Sequence, residues 1–366
     1  MLSEDSLEWA QAQDAADELL PLRAEFLFPD SGPLYFAGHS LGLQPRRARE
    51  YVLQELDDWA RLGVEGHFAA RNPWVSYHEL LTASTARLVG ALPHEVVVMN
   101  TLSVNLHLLM VSFYRPQRGK HRLLIEQGAF PSDRYAVASQ ARFHGFPDAV
   151  LESEDPLETL RERDDIALAL IGNVNYLTGR AYDMRALVRA AQEKEAFIGF
   201  DLAHGAGNLP LTLHEDGPDF AAWCNYKYLN AGPGGLGGVF VHERHADAAL
   251  PRFEGWWGHD KARRFEMGPR FSPIRGAEAW QVSNPPILQL AVLRASMELF
   301  DLTPAKRGSM LTVRLHQPGI VAELKNRGAV VDSRPPDIVR ITPAPLYNSF
   351  EDVQRLCALI GESGDA

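Results

Sequence analysis

Apolar positions recur at helical spacing over about residues 1–29, 46–62 and 76–90, with turn-rich pieces at 29–33 and 37–42 between them. From about residue 95 the pattern changes, and short apolar runs alternate with helical stretches. Glu95–Met99, Arg122–Ile125, Ile166–Ile171, Ala196–Phe200, Phe220–Cys224 and Gly238–Val241 predict strands, while Val104–Tyr114, Ser132–Phe143 and Met184–Lys194 predict helices. Six or seven short buried strands separated by helices predict an α/β fold with a mostly parallel sheet, both of whose faces are covered. Ligands of such sheets gather at the carboxyl ends of the strands, so the residues just after each strand carry the interest. Beyond about residue 275 the chain predicts a long helix at Pro286–Leu299, strands at Met310–Leu315, Ala329–Val331 and Val339–Thr342, and helices at Ile320–Asn326 and Phe350–Ile360. This reads as a small α+β domain. The predicted division is an N-terminal segment (1–60) packing with a small C-terminal domain (286–366), and a large domain (61–285) between them.

Composition narrows the class. With 366 residues, 46% apolar and 23% charged, the chain is an ordinary globular protein of about two domains. Its net charge of −11 disfavours nucleic acid and anionic lipid as partners, but leaves a small-molecule substrate open. Two cysteines, Cys224 and Cys357, build neither a disulfide framework nor a zinc cage, and no metal site is expected. The acidic start lacks a signal peptide's basic and apolar regions, and no apolar run approaches the roughly 20 residues that span a bilayer. A cytoplasmic protein is expected.

The strand ends hold the chemistry. Asp201 closes the Ala196–Phe200 run, and a carboxylate there costs desolvation unless a cation or strong donor meets it. Lys227 follows the Phe220–Cys224 run and precedes a glycine-rich loop at 232–238. A buried lysine loses proton affinity and becomes a candidate Schiff-base amine. Taken singly, Asp201 reads equally well as a turn cap and Lys227 as a surface lysine. Together they match what pyridoxal phosphate needs: an amine for its aldehyde carbon and a carboxylate for its ring nitrogen. Asn100–Ser103, between a strand and a helix N-terminus, suits a phosphate, although taken alone a simple N-cap explains it better. Phe130–Asp133 adds an aromatic face and a second carboxylate.

Six segments in order resemble kynureninase: Phe130–Asp133, Gly199–His204, Asn225–Gly232, Gly255–His259, Ser283–Pro286 and Pro345–Phe350. The resemblance runs from about residue 34 to 360. It implies a fold-type I, pyridoxal 5'-phosphate-dependent transferase-like fold and a homodimer whose active sites draw on both chains. It also implies hydrolysis of L-kynurenine or its 3-hydroxy form to L-alanine and anthranilate or 3-hydroxyanthranilate. By motif position, Lys227 should hold the cofactor aldehyde, Asp201 should pair with its ring nitrogen, and Phe130 should stack on the ring. Leu102, Ser103, Asp133 and Tyr226 should belong to the phosphate and ring pocket, with His204 beside Asp201. Trp256 and Asn284 should arrive from the second subunit, Asn284 also towards substrate. Arg340 should clamp the substrate carboxylate, and His67 should line its aromatic end. Tyr226 is the candidate acid–base partner of Lys227.

The chain departs from the family pattern in three places. Gly172 stands where a serine usually contributes to the cofactor pocket, and His39 where an asparagine is usual. After Asp301 a helix and a strand of the family are missing. Two other readings fit the fold: a cysteine desulfurase-like lyase, which Cys224 and Cys357 are poorly placed to serve, and a non-catalytic protein that keeps the cofactor fold.

Overall fold

The computed structural model describes residues 6–302, 310–315, 317 and 319–364. The expected junction at 303–308 therefore lies outside the described residues. The chain opens with α1 (Leu7–Ala16), capped by the Ser6 hydroxyl on the Trp9 N–H. It does not remain helical to residue 29. Pro21 sits in a short 3-10 turn, and β1 (Phe26–Leu27) pairs with β3 (Gln44–Pro45). Between them lies β2 (Leu34–Tyr35). Helices α2 (Arg47–Leu62), α3 (Gly66–Ala69) and α4 (Thr82–Val89) lead into the main sheet.

That sheet contains β4 (Val96–Met99), β5 (Arg122–Glu126), β6 (Val150–Ser153), β7 (Ile166–Gly172), β8 (Phe197–Asp201), β9 (Phe220–Cys224) and β10 (Gly237–Val241). Its order is β4-β10-β9-β8-β7-β5-β6, and β10 alone runs against its neighbours. Strands β4, β7, β8 and β9 are almost wholly buried, as expected of strands covered on both faces. The covering helices are α5 (Leu102–Phe113), α6 (Pro131–Phe143), α7 (Pro156–Glu162), α8 (Met184–Glu193) and the short α9 (Leu213–Asp216). Asp155 and Asp183 cap α7 and α8 through their carboxylates. Apolar clusters on the two faces contain Val96, Val98 and Ile198 on one side and Val97, Ile125 and Leu170 on the other.

Helix α10 (Ile287–Phe300) packs on α2 and shares the first of these clusters through Leu290, Leu293 and Met297. Next come β11 (Leu311–Arg314), α11 (Ile320–Asn326), β12 (Ala329–Val330), β13 (Asp332–Arg334), β14 (Ile338–Ile341) and α12 (Phe350–Gly364). Strands β11, β14 and β13 form an antiparallel sheet, and β12 pairs parallel with β2. Leu34 and Phe36 share an apolar cluster with Ile320, Leu324, Val339 and Leu356, so residues 34–36 belong to the C-terminal core. The Gly38–Gly42 turn then reaches the main sheet. Gly42 N–H bonds to the Tyr226 carbonyl at 2.9 Å, and a β-carbon on Gly42 would lie 2.4 Å from the Lys227 carbonyl.

Candidate active site

Five strand ends converge on one cavity of about 230 Å³. Strand β4 leads to Thr101, Leu102 and Ser103, where α5 begins. Strand β5 delivers Glu126, then Phe130, Ser132 and Asp133 at the start of α6. Strand β7 ends at Gly172, β8 at Asp201 with Ala203 and His204 following, and β9 leads to Tyr226 and Lys227. Val174 and Tyr176 complete the wall. The strand-end expectation thus brings Leu102, Ser103, Phe130, Asp133, Gly172, Asp201, His204, Tyr226 and Lys227 together.

The charges are unbalanced. Among the described residues, Lys227 is the only lysine or arginine on the wall, which also carries Glu126, Asp133 and Asp201. Burial, then the Asp201 charge and a hydrogen bond to it, hold the Asp133 carboxyl well above its ordinary value. Asp133 therefore keeps its proton and donates it to Asp201. Burial, with the Asp201 charge adding, pushes Glu126 up to about 7, although its carboxylate accepts the Gly172 N–H at 3.1 Å. Burial and the Lys227 charge hold His204 well below its ordinary value, so it is neutral. Its Nε2 lies 3.2 Å from Lys227 Nζ, and its Nδ1 lies 3.0 Å from Tyr228 Oη. Burial, then the neighbouring Cys224, raise the Tyr226 phenol above its ordinary value, which suits a proton donor.

Four expected residues do not line this cavity. Arg340 is fully buried just behind it, its Nη1 donating to the carbonyl of the wall residue Tyr176 at 3.2 Å. Its Nη2 donates to Ser40 Oγ at 3.1 Å and to Asp332, while Nε has no partner. His67 lies against Trp74 and the Val64 carbonyl. Trp256 is 41% exposed, and its indole N–H donates to Asn284 Oδ1 at 3.0 Å. Sequence reasoning missed Glu126, Tyr176, Tyr228 and Asp332. Glu126 ends a strand just as Asp201 does, and extending the predicted Arg122–Ile125 strand by one residue would have found it.

The kynureninase C-terminal domain family model matches residues 294–360. Over 410 aligned residues the chain is 56% identical to the kynureninase of Myxococcus xanthus (strain DK1622), covering 97% of this chain and 96% of that protein. The chain belongs to the kynureninase family. The kynureninase of Koribacter versatilis (strain Ellin345) is 49% identical over 403 residues, covering 95% of each chain. Both alignments are longer than the 366-residue chain, so these kynureninases carry residues that it lacks. Among solved structures, the Escherichia coli cysteine desulfurase CsdA superposes with a TM-score of 0.76 at 17% identity, covering 94% of this chain and 98% of its own. A C-DES mutant with glycine covalently linked to its PLP cofactor gives 0.76 at 16%, covering 92% and 98%. These two share the fold.

The cavity suits pyridoxal phosphate in its donor set. Lys227 and Asp201 stand after neighbouring strands on one wall, an amine and a carboxyl group of the kinds that the cofactor's aldehyde and ring nitrogen require. Across the cavity, the N-terminus of α5 and the paired hydroxyls of Ser103 and Ser132, 2.7 Å apart, form a cradle for a phosphate.

Proposed function

We propose that this chain hydrolyses L-kynurenine, or its 3-hydroxy form, to L-alanine and anthranilate or 3-hydroxyanthranilate, using pyridoxal 5'-phosphate. The observation that carries the reading is the convergence of Lys227, Asp201 and Phe130 with the α5 N-terminus in one cavity, in a chain 56% identical to a kynureninase. When bound, the cofactor supplies an electron sink for the carbanion formed at the substrate's α-carbon. Lys227 would hold the cofactor's aldehyde carbon, and its amine would take the substrate's α-proton. Asp201, hydrogen-bonded by Asp133, would pair with the ring nitrogen. Phe130, on the same wall, would cover one face of the ring. Tyr226 donates a proton as water adds to the γ-carbonyl and the Cβ–Cγ bond breaks. Arg340 orients the α-carboxylate, for which a guanidinium is geometrically matched.

A desulfurase-like reading requires an accessible, acidic thiol. Cys224 is buried and its thiol is raised by that burial, while Cys357 is exposed on α12, outside the cavity wall.

We further propose a cytoplasmic homodimer with shared sites. An exposed aromatic patch of Phe68, Trp256 and Phe265 supports a second copy as its cover. Within this chain His67, Trp256 and Asn284 lie off the cavity wall, consistent with service to the partner's site. No helix among the described residues is long and apolar enough to cross a membrane.

The test is release of aromatic amine by cofactor-loaded protein offered kynurenine and 3-hydroxykynurenine separately, with Lys227→Ala as control. Product from either substrate, abolished in the control, supports the reading and ranks the two. No product from either overturns it.

A further inference from the structure

At the end of the main sheet away from the cavity, three distant segments bring two imidazoles and a carboxylate together. Glu95 stands just before β4, His214 lies on α9, and His242 follows β10, which runs against β4. Glu95 is fully buried, and backbone groups aim both its oxygens: Oε2 accepts the Leu92 N–H and Oε1 the Glu243 N–H, each at 2.8 Å. His214 Nδ1 lies 3.1 Å from Oε1 and 3.2 Å from Oε2, and donates between them. His242 is placed differently. Its Nε2 faces the His214 carbonyl at 3.2 Å and must donate, while its Nδ1 accepts the Arg244 N–H at 3.2 Å. That bare Nδ1 stands 3.9 Å from Glu95 Oε1. A nitrogen lone pair and a buried carboxylate oxygen therefore face each other with no hydrogen between them, which is costly unless a cation joins them. Among the described residues no lysine or arginine pairs with Glu95. The comparable grouping of His78, Glu79 and Glu278 already holds its cation, because Lys261 Nζ lies 2.9 Å from Glu79 and 2.8 Å from Glu278.

The geometry points to a zinc site formed by Glu95, His214 and His242, with water in the fourth position, that ties α9 and the end of β10 to the start of β4. Two imidazoles and a carboxylate are ligand types that zinc takes. No cysteine is involved, so the cysteine count that argued against a metal does not bear on it. Ligand atoms of a tetrahedral zinc ion stand roughly 3.2–3.6 Å apart. The separations of 3.1 Å from Glu95 Oε1 to His214 Nδ1 and 3.9 Å to His242 Nδ1 bracket that span. Two imidazoles on one such ion have ring centres about 5 Å apart, and those of His214 and His242 are 5.4 Å apart. The His242 Nε2–H on a backbone carbonyl is the outer contact that orients a metal-bound imidazole. The ion takes the place of the hydrogen on His214 Nδ1, and the bound ring carries its hydrogen on Nε2. It also takes the lone pair of His242 Nδ1, and the Arg244 N–H released by this is exposed to water. The His214 side chain is 34% exposed, which gives the ion and its water a way in.

Zinc binding is measurable on cofactor-loaded protein freed of metal by a chelator and titrated against a chromophoric zinc indicator, with cobalt(II) as a second probe. Native protein should bind one zinc ion per chain, and cobalt should give the intense visible bands of a four-coordinate site. His214→Ala and His242→Ala should each lose those bands and weaken zinc by at least about tenfold, the low end of what losing even a residue behind a ligand costs. Zinc should raise the unfolding midpoint of native protein and leave those of the two variants unmoved. Should His214→Ala fail to fold, His214→Gln keeps a donor for Glu95 without an imidazole and gives the same readout. Native protein that binds no stoichiometric zinc overturns the proposal and leaves a hydrogen-bonded cluster. Zinc affinity unchanged in both His214 and His242 variants also overturns it, and would move the ion to the carboxyl-lined cavity. None of these readouts depends on kynurenine turnover.

Discussion

Glu126 fills the space beside Gly172. Its Oε2 accepts the Gly172 N–H at 3.1 Å, and its Oε1 lies 2.7 Å from where a β-carbon on Gly172 would stand. Glu126 is 3% exposed and faces Asp133 and Asp201, so its carboxyl has little room to swing away. Gly172→Ala should therefore destabilise the cofactor-free protein by about 1–3 kcal/mol, as overpacking of a filled interior does. Adding Glu126→Ala should recover most of that loss, because the two changes share one volume. Thermal unfolding of the two variants checks this, and an unchanged midpoint for Gly172→Ala would show that the carboxyl moves freely.

The same carboxyl titrates in an unusual range. Glu126 is pushed up to about 7 in the folded chain, against an ordinary value near 4.5. Between these values the folded state holds a proton that the unfolded state has lost, so this group's contribution to stability falls as pH rises from about 4.5 to 7. The buried His39 and His204, held below their ordinary values, act in the opposite direction below about pH 6.5. The clean quantity is the difference between Glu126→Gln and native protein. Glu126→Gln should gain on the native chain as pH rises across this range, by up to about 3 kcal/mol. Urea unfolding of both proteins at a series of pH values, without cofactor, measures it. A difference independent of pH would place the Glu126 titration elsewhere.

Much of this was legible in the sequence wherever burial wrote a simple pattern. Ile166–Gly172 and Phe220–Cys224 are continuous apolar runs, and the structure returns them nearly residue for residue. β6 (Val150–Ser153) escaped because it is an edge strand without a fully buried residue. β13 escaped because Asp332, Ser333 and Arg334 are polar residues made into a strand by pairing with β14. Asp332 belongs to that class. Its importance comes from a cross-strand neighbour, Arg340, and from a turn almost 300 residues away, which no local pattern records. The placement of Lys227 and Asp201 on one wall was legible because each follows a buried apolar strand. Tyr228 was not, because its partners His204 and Thr342 meet it only after folding.

The Arg340–Asp332 pair should be strongly coupled. Arg340 is 1% exposed and Asp332 is its direct cross-strand partner, so removing the guanidinium leaves a carboxylate without its main cation. Arg340→Leu should cost about 3–5 kcal/mol, the usual penalty for breaking a buried pair from one side. The double variant Arg340→Leu with Asp332→Leu should be more stable than Arg340→Leu alone, because no unpaired charge is left. Denaturant unfolding of the four proteins in the cycle tests this. Simple additivity would mean that Ser40, His39 and Arg334 satisfy Asp332 without Arg340.

The proposed sharing of sites between two subunits makes a prediction that no single-chain account makes. Trp256 is held by Asn284 on the exposed aromatic patch, whereas Lys227 lines the cavity. If Trp256 serves the partner's cavity, Lys227→Ala and Trp256→Ala disable different components of the same site. Each variant alone should be impaired, Lys227→Ala completely. When the two are mixed under conditions that allow subunit exchange, half of the dimers should be hybrids, and one of the two sites in each hybrid should hold both native residues. Kynurenine turnover should then return to about a quarter of the native level per subunit, beyond any activity of Trp256→Ala itself, as two-fold exchange requires. A charge placed on the patch, through Phe265→Glu, should prevent the recovery by keeping the chains apart, which sedimentation of the variant would register directly. Turnover of the mixture equal to the mean of its two components, with exchange verified, would assign Trp256 to its own subunit.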